Sequence, residues 1–220
     1  MTYYVLMNDY ASSVMPKYLH AIVDIKKQVN EDWKYEGSEY SFPYYLTDAN
    51  CPDGLFLLCN KSIGSLKFDY YNHSRAHIFS DVFKNLIYNK RSIHYISKKL
   101  SAISIKDGSV LRNDLNYVYF PCGNELLDLN LSELEEDRFG DLIPHKLVFS
   151  PLASNYDVFS IRKSLLGGYI FVSDNLASEI KSKKIKGVKV IELDKAFSQY
   201  CIDYRYDIED RKKKMKGKLP

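Results

Sequence analysis

Apolar positions along this chain switch between a spacing of two and a spacing of three to four, most sharply near its C-terminal end. Tyr169, Ile170, Phe171 and Val172 make a β-branched and aromatic run suited to a strand. Ser173 then stands where a helix needs a side-chain oxygen for the free N–H groups of its first turn, and Asp174 adds negative charge at that positive end. Leu176, Ala177 and Ile180 recur at helical spacing, with Ile185 less regularly. Gly187 supplies a stop, and Val188, Val190, Ile191 and Leu193 resume a strand-like pattern. The prediction is strand, capped helix, strand.

Elsewhere the pattern predicts strands over 3–6, 55–59, 65–71, 92–96, 117–122, 125–129, 146–150 and 156–162. Tyr18, Leu19, Ile22, Val23, Ile25 and Val29 follow Pro16 at three- and four-residue spacing. That spacing reads as a helix, while the enrichment in Val and Ile leaves a strand open. Ile78, Phe79, Val82, Phe83, Leu86 and Ile87 also keep a helical period, and Phe197, Tyr200, Cys201 and Tyr204 predict a last helix. Ser132 with Glu135 three residues on is a capping-box spelling for a short acidic helix over 133–137. Residues 33–51 read as a polar, turn-rich connector. Ile96-Ser97-Lys98-Lys99-Leu100 repeats the order of Val172-Ser173-Asp174-Asn175-Leu176, which marks either two similar lobes or two capped helices after strands.

Many strands with few intervening helices argue for α+β: a mixed, mainly antiparallel sheet with several short helices. At 220 residues the chain is long enough to bury a self-sufficient core. The expected organisation is a single compact domain over 1–210, with possible lobes at about 1–115 and 116–210, and a basic tail over 211–220.

Charge alters that picture less than the net value of +3 suggests. Six basic residues and no acid lie in the tail, so residues 1–210 carry 25 basic against 28 acidic residues and a net charge of −3. Nucleic-acid binding by the folded part therefore gets no support from the pI. Nineteen tyrosines and eleven phenylalanines supply large burial with a polar tip, either as core or as a tyrosine-rich contact face. Cys51, Cys59, Cys122 and Cys201 show no CxxC or metal-finger spacing. With no secretory signal pattern and no long apolar run, reduced thiols and a cytoplasmic location are expected.

Three segments carry a resemblance: Asp157-Val158-Phe159-Ser160-Ile161-Arg162, then Ile170 through Leu176, then Lys186-Gly187-Val188-Lys189-Val190. In this order they resemble the C-terminal part of bacterial immunity proteins of polymorphic toxin systems, the family called immunity protein 43, related to immunity protein 11. Residues 95–100 resemble a second strand-serine-helix element of that family, and residues 3–6 its N-terminal strand. The resemblance implies binding and neutralisation of a cognate toxin domain in the producing cell.

Signatures of catalysis are weak. His73 and His77 stand one turn apart if helical, a zinc spacing, but no glutamate follows the first and no third ligand is signalled. No GxSxG elbow occurs, and Gly167-Gly168 reads as a hairpin turn rather than a phosphate loop. The expectation is a non-enzymatic protein without cofactor or metal that acts by stoichiometric protein–protein interaction. On residue type and loop placement, exposed aromatic and acidic side chains are the toxin-binding candidates: Trp33, Tyr44, Tyr45, Tyr70, Tyr71, Glu135 and Asp137. The alternative is a nucleic-acid-associated protein using the basic C-terminal tail, which salt would distinguish.

Overall fold

Residues 2–16, 18–27, 29, 54–73, 76–121 and 123–212 are described by a computed structural model of the chain. In chain order the elements begin β1 (Tyr3–Asn8), β2 (Ala21–Asp24), β3 (Gly54–Cys59), β4 (Tyr70–His73), β5 (Ala76–Ser80), α1 (Asp81–Tyr88), β6 (Ile96–Ser104) and β7 (Val110–Tyr119). They continue with β8 (Glu133–Glu136), β9 (Leu142–Lys146), β10 (Val158–Ser160), β11 (Ile170–Ser173), α2 (Asp174–Ser182), β12 (Val188–Glu192), α3 (Leu193–Tyr204) and α4 (Ile208–Lys212).

The first strand is built into the far end of the chain. β1 lies between β11 and β12 in an antiparallel four-stranded sheet of order β10-β11-β1-β12. A second sheet has the order β2-β3-β6-β7-β5-β4, antiparallel except where β3 runs parallel to β6, and β8-β9 forms a separate hairpin. The fold is α+β with mixed, mainly antiparallel sheets and a few short helices, as the strand pattern predicts.

Period-two alternation sends neighbouring side chains of the large sheet to opposite cores. Phe79 and Val118 face a core shared with Val5, Leu6, Phe159, Phe171 and helix residues Phe83, Leu176 and Ile180. Ile78, Leu115 and Tyr117 face a second core with Val23, Leu57 and Leu100. The first core draws on both sheets, and β7 runs straight across position 115. Gly187 sits where the sheets meet. Lys186 O accepts from the backbone N–H of Asp69 (2.8 Å) and Tyr70 (3.2 Å), and Gly187 O accepts from Asp9 N–H (3.0 Å).

Several local expectations fail for a common reason, which is that strand pairing outweighs a local helix signal. Ser97 lies inside β6, paired opposite Val118 of β7, so it starts no helix, and the similarity of 96–100 to 172–176 marks no repeated unit. Ser132 and Glu135 form no capping box: Ser132 Oγ accepts from Val148 N–H at 2.9 Å, and 133–136 is β8, paired with β9. Residues 21–24 form a strand against β3, resolving the helix-or-strand reading of 18–29. Ile78 and Phe79 belong to β5, and only from Asp81 does the helix begin. Its cap is Ser80, whose Oγ accepts from Phe83 N–H at 3.2 Å.

Ser173 does occupy the N-cap position of α2, but it makes no side-chain cap hydrogen bond. Its hydroxyl donates instead to Asp157 Oδ1 at 3.0 Å. The same carboxylate receives the Arg91 guanidinium twice, at 3.0 and 3.1 Å, and Arg91 N–H at 3.3 Å. The guanidinium beside it, aided by Ser173, holds the Asp157 carboxyl below its ordinary range. Two residues of the family-like motif are thus structural.

Candidate functional site

Four of the seven sequence-selected contact residues, Tyr70, Tyr71, Glu135 and Asp137, are among the described residues. Trp33, Tyr44 and Tyr45 lie outside the described residues. Tyr70 was expected to be exposed and is instead fully buried, donating its hydroxyl to Leu6 O at 3.1 Å. Tyr71 is also buried, its ring 5.2 Å from Phe68. In a strand covered on both faces neither of two successive tyrosines reaches solvent. Asp137 is buried as well, accepting from the N–H groups of Phe139 (2.8 Å) and Asp141 (3.0 Å) and from the Tyr206 hydroxyl (2.9 Å). It ties the loop after β8 to the C-terminal segment. Glu135 is half-buried on β8, its Oε2 2.7 Å from His145 Nε2.

The two histidines lie on opposite strands of the β4–β5 hairpin, not one turn apart on a helix. Burial pushes His77 down to about 3, helped by His73 nearby, and pushes His73 down to about 4. His77 Nδ1 lies 3.5 Å from both the Tyr70 hydroxyl and Asn72 Nδ2. Among the described residues no group of three His, Cys, Asp or Glu side chains assembles. Cys59 is buried with its thiol pushed up to about 12, which suits a core residue rather than a nucleophile.

Two of the surface recesses among the described residues are large enough to seat a ligand or a partner's side chains. One, of about 940 Å³, lies between the start of β1, the segment after β9 and the start of α3. Its charged groups are largely answered within the chain: His145 by Glu135, Lys146 by Glu133 at 3.7 Å, and Glu192 by Lys195.

The other, of about 830 Å³, is lined by six tyrosines from five separate parts of the chain: Tyr10, Tyr18, Tyr71, Tyr169, Tyr200 and Tyr204. Its walls are fixed by a relay of hydrogen bonds. Tyr169 donates to the Tyr204 hydroxyl at 3.2 Å, and Tyr10 accepts from Asn8 Nδ2 at 3.0 Å. Asn8 in turn holds Asn72 N–H through Oδ1 at 2.7 Å, and Asn72 Nδ2 reaches Gly168 O at 3.2 Å. Gly168, with φ of +87°, lies in the connection between β10 and β11, consistent with the hairpin reading of the glycine pair. Burial raises the Tyr169 and Tyr204 hydroxyls well above the ordinary phenol value, so both keep their protons. On the rim Tyr18, Ile202 and Tyr204 are 69, 71 and 48% exposed.

Sequence reasoning missed Tyr10, Tyr18, Ile202, Tyr204 and Arg205 as site residues. One signal was available: Ile202 falls outside the apolar stripe of α3 and so points away from the core.

Fold and recess define an α+β protein that presents an aromatic cleft. The sequence model of Immunity protein 43 matches residues 7–208, and the chain belongs to that family. A search among curated proteins finds no match. Membership supports an immunity role in toxin systems and implies a toxin as partner. No helix among the described residues is long and apolar enough to cross a membrane.

Proposed function

We propose that this chain binds a cognate toxin domain stoichiometrically in the cytoplasm of the producing cell and so neutralises it, with no chemistry of its own. The tyrosine cleft supports this reading best. Tyrosine gives large contact area at low conformational cost, and here four of the lining hydroxyls or rings are already fixed before any partner arrives. Exposed Tyr18, Ile202 and Tyr204 place apolar surface at its mouth. Tyr71 contributes through its edge on the cleft wall, and Glu135 on β8 is a further acidic contact. Trp33, Tyr44 and Tyr45 are proposed as contacts on residue type alone.

The test uses the purified chain as bait for proteins and nucleic acids of its producing organism, at physiological and raised salt. Recovery of one stoichiometric, salt-resistant protein, toxic when expressed alone and harmless when co-expressed with this chain, is the expected result. Nucleic acid that washes off with salt would instead place function in the lysine-rich tail. Recovery of neither would defeat both readings.

A further inference from the structure

The end of α3 carries a cation that its own fold does not pair among the described residues. Arg205 follows the helix with φ 52° and ψ 41°, the left-handed conformation in which glycine is the least strained residue. A cation suits a helix C-terminus, but a Lys or Arg one or two residues earlier would serve there without backbone strain. Arg205 is exposed, and its guanidinium has no ion pair or hydrogen bond within the described residues. Its acidic neighbour is not available to it. Asp203 accepts from Gln199 Nε2 at 2.8 Å and lies 3.8 Å from Lys189. The unanswered charge of the cleft is therefore positive.

Tyr10 adds a second donor. Its oxygen accepts from Asn8 Nδ2 at 3.0 Å, which leaves its own O–H for a group entering the cleft. Beside these donors stand Ile202 and Tyr18, apolar and mostly exposed. Two free donors, one of them charged, next to apolar surface complement an anionic acceptor beside an apolar side chain.

We infer that the cleft seats a protruding loop of the partner toxin in which an apolar side chain packs on Ile202 and Tyr18 while an adjacent carboxylate meets Arg205 and the Tyr10 hydroxyl. This rests on the proposed toxin-binding reading and specifies the part of the toxin that is recognised. The left-handed residue that closes α3, where its own N–H and that of Tyr206 meet the last carbonyls, also places a cation at the rim.

The probe is the toxin domain recovered in the protection experiment, titrated by calorimetry against the full chain. Arg205→Glu and Ile202→Asp alter exposed side chains and should leave the fold intact. Each should weaken binding about tenfold or more. Arg205→Gly should also weaken binding while raising the melting temperature by roughly 1–4 °C, because the strain is relieved. Arg205→Glu binding within about twofold of wild type overturns the inference while leaving the proposed function in place. A free chain that dimerises until Ile202→Asp is introduced also overturns it, because a second copy then occupies the cleft. A wild-type chain that binds no toxin defeats the underlying reading instead.

Discussion

Replacing Gly187 by alanine tests the claim that one residue of the family motif holds the two sheets together. Two penalties add. The backbone has φ of +84°, which costs alanine about 1 kcal/mol relative to glycine. The new Cβ would lie 2.5 Å from Met15 Sδ, 2.8 Å from Phe68 Cβ and 2.8 Å from the Tyr70 carbonyl oxygen. Met15 can swing aside, but the other two atoms are tied to the backbone. Moving Gly187 away from them pulls on the hydrogen bonds from Asp69 and Tyr70 to Lys186 O. Overpacking of this kind costs about 1–3 kcal/mol, for a total of about 2–4 kcal/mol. At roughly 2–4 °C per kcal/mol for a chain of this size, the melting temperature should fall by about 5–15 °C. Urea titration followed by circular dichroism should show a lower midpoint with an unchanged slope. Gly64→Ala is the control, since its Cβ would meet nothing within 4 Å. A Gly187→Ala protein that melts within about a degree of wild type would refute the junction argument.

Two further predictions concern acid. Burial holds His77 neutral, with its pKa lowered from 6.5 to about 3, so the unfolded chain takes up a proton that the folded chain refuses. Stability should therefore decline as pH falls from about 6.5 toward 3, by up to ~1.4 kcal/mol per pH unit for this imidazole. His77→Gln should flatten that slope, and a wild-type stability that stays level between pH 6.5 and 4.5 would sink the neutral-imidazole reading. Asp157 has the usual carboxylate sign: its folded value is depressed, chiefly by the Arg91 hydrogen bond, so its contribution is present above about pH 4 and is lost as pH falls through that depressed value. Asp157→Asn should cost about 1–3 kcal/mol at pH 7, and denaturation curves of mutant and wild type should converge near pH 2. An equal gap at both pH values would show that the carboxylate charge is not what matters.

Residues 157–193 were readable from the sequence because their strand, helix and strand are adjacent in the chain and each bears its own period. Leu176, Ala177 and Ile180 are buried as the stripe predicts, and β12 starts right after Gly187. The misreadings fall where partners are remote. Nothing near Ser97 announces that β7 will pair with it, and Ser132 looks like a cap until Val148 is brought beside it. The aromatic load pointed to a tyrosine-rich face, but the cleft needs residues 10, 18, 71, 169 and 204 to converge, and no local pattern encodes that. Tyr70 and Tyr71 show the cost of choosing contacts by residue type. Adjacent in sequence, they serve two different cores.

Motif and cleft divide the labour between stability and recognition. Asp157 binds Arg91 and Ser173, fixing β10 and the start of α2. Gly187 fixes β12 against β4, and β12 runs directly into α3. Side chains so engaged have no bonding capacity left for a partner, so a change there lowers stability without redirecting binding. Tyr18, Ile202 and Arg205 stand at the opposite extreme. Ile202 and Arg205 are exposed at the end of the helix that this frame aims, Tyr18 lines the same cleft from the segment before β2, and all three bear little of the core. Substitution there alters apolar shape and charge at the mouth of the cleft at small cost to folding. A single frame can therefore be matched to different partners through that rim, and partner choice should follow the α3 terminus rather than the segments that identify the family.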